Sequence, residues 1–207
     1  MRGKLIAVEG IDGSGKSVQA ALLKIAIERL GYTVQIIKAK ETNQDAAIKK
    51  FLKDFDIATD SLAFMFLYQA LHRKQYEKTK TALDAGNIVI ADRWNTSFFV
   101  YHNIFGSLSR QPKHLLKMLN KLAFEDLEPD LFCFIAAPVS VAIKRRLIRG
   151  DKISSITKES EFYEKIAIEY KRLLTQKPQC IVLDGSQSIE QVHSQIIKAI
   201  MPVLSKG

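Results

Sequence analysis

The chain has 207 residues, 47% hydrophobic and 26% charged. That composition excludes a disordered or fibrous protein and fits one large globular domain. The net charge of +9 suits nucleic acid, an anionic membrane surface or polyanionic small substrates. The lysines, as at Lys49-Lys50, Lys74, Lys78 and Lys80, are scattered, so solvated helix faces are expected and nucleic acid is set aside.

Taken in order, the chain opens with an apolar strand, Lys4 to Glu9, followed by Gly10-Ile11-Asp12-Gly13-Ser14-Gly15-Lys16-Ser17. This reads G-x-x-x-x-G-K-S, a phosphate-binding loop, set between a strand and a helical pattern over 18–30. The glycines let backbone N–H groups converge on anionic oxygens. The following helix adds its positive end, Lys16 a point charge for phosphate, and Ser17 a hydroxyl for Mg²⁺. Thr33 to Ile37 is a second strand, 43–54 a helix, and Asp60 to Ala85 a long helix closed by Gly86. Ile88 to Ala91 is a third strand running into Asp92-Arg93. Helices follow over 95–105 and 111–125, then a strand from Leu131 to Ile135 and a helix from Val139 to Arg149. The polar stretch 150–158 precedes a helix over 159–175, a strand from Cys180 to Leu183 and a last helix over 189–204. No repeat or linker interrupts the pattern, so one domain is expected over 1–207. Short apolar strands alternating with helices imply an α/β fold, a five-stranded parallel sheet covered on both faces. Ligands then sit beyond the carboxyl ends of the strands.

Those ends carry the chemistry. Arg93 can fork onto a phosphate, while Asp92 can assist Mg²⁺ or hold the arginine. Ser97 and Tyr101 share a helix face, and Tyr101 could refuse a ribose 2′-hydroxyl; packing with Phe98 and Phe105 explains them equally. Tyr68 and His72, one turn apart with Arg73 beside them, could stack and read a base, or simply belong to an amphipathic core. Arg145, Arg146 and Arg149 precede the polar stretch and could stabilise a transferring phosphoryl group, or form a solvated face. Cys133 and Cys180 lie in apolar runs and read as core residues, and no metal-ligand spacing is present. No signal-peptide pattern opens the chain and no apolar run reaches the roughly 18 residues of a span, so a cytoplasmic location is expected.

Three segments together resemble the thymidylate kinase family. They are Val8 to Ser17, then Asp92-Arg93-Trp94-Asn95-Thr96-Ser97 with Tyr101, and Val182 to His193. The resemblance covers nearly the whole chain. It implies a three-layer P-loop kinase fold, a homodimer, and Mg²⁺-dependent transfer of the γ-phosphoryl group of ATP to dTMP. By position it gives ATP to the loop, Gly10 to Ser17, with adenine against Arg145 or Arg149 and the metal at Ser17 and Asp92. Lys16, Asp12, Arg93 and Arg149 form the catalytic set. The acceptor falls to Asp12 (sugar 3′-hydroxyl), Lys40, Tyr68, His72, Arg73, Arg93, Ser97 and Tyr101, with 150–158 as a lid. The chain departs from the family pattern at Val18, Lys40-Glu41, His72, Trp94 and His102. Its lid carries only Lys152 and Lys158 as basic residues. The alternatives left open are a related kinase with another nucleotide or nucleoside acceptor, and a nucleotide-binding protein with weakened catalysis.

Overall fold

The computed structural model describes residues 2–38, 42–56, 61–104 and 112–205. Five strands, β1 (Leu5–Glu9), β2 (Val34–Lys38), β3 (Ile88–Asp92), β4 (Leu131–Ala136) and β5 (Cys180–Asp184), form one sheet in the order β2-β3-β1-β4-β5. Every pairing is parallel. The helices are α1 (Lys16–Glu28), α2 (Thr42–Asp54), α3 (Leu62–Asp84), α4 (Asn95–Ile104), α5 (Lys113–Phe124), α6 (Val139–Ile148), α7 (Ile156–Leu174) and α8 (Ile189–Leu204).

The central strands are apolar on both faces because both faces are covered. On one face Ile6, Val8, Ile88, Ile90, Leu131 and Cys133 meet α1 and α8 through Leu23, Ile27, Ile196 and Ile200. On the other, Leu5, Ala7, Val89, Ala91, Phe132 and Phe134 meet α3, α6 and α7 through Tyr76, Leu83, Ile143, Ile166 and Tyr170. Trp94 is fully buried on this second side, and its indole N–H donates to the Leu127 carbonyl at 2.9 Å. Cys133 and Cys180 are free thiols on neighbouring strands, Cys133 buried in the core. Among the described residues, no helix is long and apolar enough to cross a membrane.

Boundaries shift in three places that matter. The second strand is displaced one residue, to Val34–Lys38, which sets Lys38 opposite Asp92 in the β2–β3 register. The helix expected over 159–175 opens at Ile156, because the Ser155 hydroxyl accepts from the Lys158 N–H and caps it. The polar stretch 150–158 therefore gives its last three residues to α7. The helix expected from Asp60 opens at Leu62, capped by Ser61, and Gly86 follows α3 with a positive φ of 80°, as its stop signal implied. Asp60, Lys40, Glu41, Phe105 and Gln111 lie outside the described residues.

Candidate active site

The first half of the site is the turn between β1 and α1. Gly10, Gly13 and Gly15 have φ of 145°, 87° and 105°, a region L side chains rarely enter. At Gly13 a Cβ would lie 2.2 Å from the Ala142 carbonyl oxygen, so α6 presses directly on the loop. Ser17 stands in the first turn of α1. The Lys16 ammonium, nearly buried, donates to the Ile11 carbonyl at 2.7 Å and lies 3.9 Å from Asp12. Burial, with the like charge of Arg93, pushes that ammonium down to about 7, against the pull of Asp12, Asp92 and Glu9.

The second half is the turn after β3. Arg93 has φ of 74°, rare for a side-chain-bearing residue. That turn aims its guanidinium at the loop, where it donates to the Gly10 carbonyl at 2.9 Å, to Asp12 Oδ1 and to the Tyr170 hydroxyl. Gln75 of α3 holds the Arg93 carbonyl at 2.8 Å. Glu9, fully buried, accepts from the Trp94 N–H at 2.8 Å and the Ser97 hydroxyl at 2.7 Å. Burial raises the Glu9 carboxyl, with Arg93, the Trp94 N–H, Ser97 and Lys16 acting in the opposite direction. Asp12 also accepts from the Tyr163 hydroxyl of α7 at 2.9 Å. Burial alone would raise the Asp12 carboxyl, yet Arg93 and Lys16 hold it well below the usual carboxylate range.

Loop and turn face one cavity of about 830 Å³. Much of its lining is aromatic: Phe64, Tyr68 and His72 of α3, Phe98, Tyr101 and His102 of α4, and Phe162 of α7. Tyr101 lies 5.4 Å below the Arg93 guanidinium, and burial pushes its phenol up to about 12. His72 is buried among Tyr68, Phe98 and Phe124, and its Nδ1 has no hydrogen-bond partner among the described residues. Burial pushes both His72 and His102 down to about 4, so both imidazoles are neutral at pH 7. At the mouth, Arg145 donates to the Gly185 carbonyl at 2.8 Å and to Ser14 at 3.4 Å. Arg149 forks onto Asp151 at 2.8 and 2.6 Å.

Most residues picked from sequence thus meet. Asp12 to Ser17, Tyr68, His72, Asp92, Arg93, Ser97, Tyr101, Arg145 and Arg149 all line the cavity. Gly10 and Ile11 do not; they lend their carbonyls to Arg93 and Lys16. Arg73 is a correction: one residue past His72 it turns to another face of α3, pairs with Glu125 at 2.7 Å and stacks on Tyr76. Lys152 and Lys158 do not line the cavity either. Lys40 lies outside the described residues. Sequence reading missed Tyr163 and Tyr170 as partners of Asp12 and Arg93. Their seven-residue spacing puts them on one face of α7, a signal shared by any core stripe. Phe64, Phe162, Gln75 and Lys38 were missed as well.

A phosphate loop on β1–α1, an arginine turn after β3 and a shared cleft define a P-loop phosphotransferase of the α/β class. A family model described as "Thymidylate kinase" matches residues 8–196. The chain is 34% identical to the thymidylate kinase of Caldanaerobacter subterraneus subsp. tengcongensis over 205 residues, 97% of this chain and 96% of the relative. It is 32% identical to that of Fervidobacterium nodosum over 198 residues, 93% and 96%. It is 33% identical to a probable thymidylate kinase of Methanosarcina barkeri across the full length of both. The chain belongs to the thymidylate kinase family.

Proposed function

We propose that the protein transfers the γ-phosphoryl group of ATP to dTMP, giving ADP and dTDP. The observation that carries this reading is the single cleft onto which the phosphate loop and Arg93 both open, joined through Asp12. Two phosphate-gripping groups facing one cavity suit a donor and an acceptor placed end to end.

In this reading the loop amides, Lys16 and Ser17 hold the ATP phosphates, and Arg145, pinned at the mouth, lies against adenine. Arg93 clamps the dTMP phosphate. Asp12 retains acceptor capacity beyond Arg93 and Tyr163, since each carboxylate oxygen has two lone-pair sites, and takes the sugar 3′-hydroxyl. Tyr101 fills the space of a 2′-hydroxyl, and Phe64 and Tyr68 flank the base beside His72. Arg149 leaves Asp151 to face the transferring group. The attacking atom is a phosphate oxygen, already ionised near neutral pH, so no residue is needed to remove a proton. Alignment and charge stabilisation supply the rate.

The corner formed by the Ser17 hydroxyl on Asp92 Oδ2, 2.7 Å apart, suits a hard cation that prefers oxygen. Among the described residues no group of three or more His, Cys, Asp or Glu could hold a metal alone, so Mg²⁺ would be held jointly with nucleotide phosphates. Bound there, it would neutralise charge on the phosphates. We further propose a cytoplasmic homodimer; sedimentation equilibrium at micromolar concentration separates dimer from monomer.

The direct test follows ADP release with Mg²⁺-ATP and a panel of dTMP, dUMP, dCMP, AMP, GMP and thymidine. dTMP turnover should lead the panel and vanish in Lys16→Ala. Preference for another acceptor, or wild-type turnover no greater than Lys16→Ala, rejects the reading.

A further inference from the structure

Lys38 belongs to no part of the mechanism above, yet its ammonium sits at the corner where the metal would be held. Val34, Ile36 and Lys38 form one row on β2, and Ile88, Ile90 and Asp92 form the paired row on β3. Alternation along a strand keeps each row on one face of the sheet. The apolar members of both rows pack with α1. At the carboxyl ends both rows change from apolar to charged, beneath the first turn of α1, where Ser17 stands. There one oxygen, Asp92 Oδ2, receives the Ser17 hydroxyl at 2.7 Å and the Lys38 Nζ at 3.2 Å. The carboxylate side chain is 8% exposed, whereas that of Lys38 is 44% exposed and lines the cleft. The anion is therefore fixed and its cation sits on a flexible stem reaching in from solvent.

We propose that Lys38 is a resident counter-cation of the metal corner. It neutralises Asp92 while no divalent ion is bound, and when Mg²⁺ arrives with ATP it gives that oxygen up and swings back toward solvent. The physical reason is competition. A buried carboxylate needs a cation, and two cations on one oxygen repel each other strongly at these distances. This inference rests on the reading that ATP phosphates come to Ser17.

The test is ATP binding by calorimetry without acceptor, in Mg²⁺ and in EDTA, for wild type, Lys38→Met, Lys38→Gln and Lys38→Arg. The quantity read is the ratio of the metal-free Kd to the Mg²⁺ Kd. In Lys38→Met and Lys38→Gln the uncovered Asp92 repels metal-free ATP, so the ratio should rise about tenfold or more. The Mg²⁺ Kd should stay within about threefold, because the ion itself covers Asp92. Lys38→Arg should bring the ratio back toward wild type. An unchanged ratio in both neutral variants overturns the proposal. So does an equal loss of ATP binding with and without Mg²⁺, which would make Lys38 a plain phosphate ligand. Failure of the wild type to bind ATP would instead overturn the function proposed above.

Discussion

Arg93 bears a backbone that costs about 1–3 kcal/mol in most contexts. It persists because Gly10, Asp12, Tyr170 and Gln75 all fasten it. Arg93→Ala should lower kcat/KM for dTMP by about 10³ or more, the scale of losing a preorganised charged donor. The Kd for ATP should move far less, and an equal loss of both would place Arg93 on the wrong nucleotide. Lys16 makes a second prediction. With its ammonium down to about 7, ATP binding at pH 7 should take up about half a proton, since phosphate favours the charged form. Affinity for ATP should then fall as pH rises from 7 to 9. Calorimetry in two buffers of different ionisation enthalpy reads the uptake directly, and zero uptake contradicts it. Lys16 and Arg93 were legible in the sequence because residue order alone carries their chemistry. Glu9, Tyr163 and Tyr170 were not. One carboxylate closing an apolar strand and two aromatics on a helix look the same whether they fasten an arginine or fill a core.

At the scale of elements, the tightest joint is between the phosphate loop and α6. Gly13→Ala would force a methyl into the Ala142 carbonyl and hold a non-glycine residue at φ of 87°. A loss of at least about 2 kcal/mol in urea unfolding is expected from strain and overpacking together. ATP binding should be lost with it; a variant of wild-type stability would mean the loop shifts freely. The start of α8 was readable because its cap is complete: the Ser188 hydroxyl and Gln191 form a capping box. Ser155 caps a helix as well, four residues before the start expected for α7, but it sits inside a stretch too polar to read as helix. The one-residue displacement of β2 has the opposite cause. Thr33 suits a strand and Lys38 does not, so composition favoured the wrong end, and only pairing with β3 decides it.

For the molecule as a whole, the two buried imidazoles make stability depend on acidity. Unfolded His72 and His102 protonate around 6.5, but in the fold each resists protonation until about 4. Between those values the unfolded chain binds more protons, so stability rises with pH and is lost on acidification. Each histidine should remove about 2 kcal/mol between pH 7 and pH 5. Urea unfolding at the two pH values measures this. His102→Gln should shrink the difference by about that amount, and an undiminished difference assigns the effect to other groups. Trp94, sealed from water one residue beyond Arg93, is the chain's sole tryptophan. Ultraviolet emission excited at the red edge of protein absorption therefore originates from a single spot. Movement of the arginine turn, or its dissolution on unfolding, can be followed optically with no dye attached and no background to subtract.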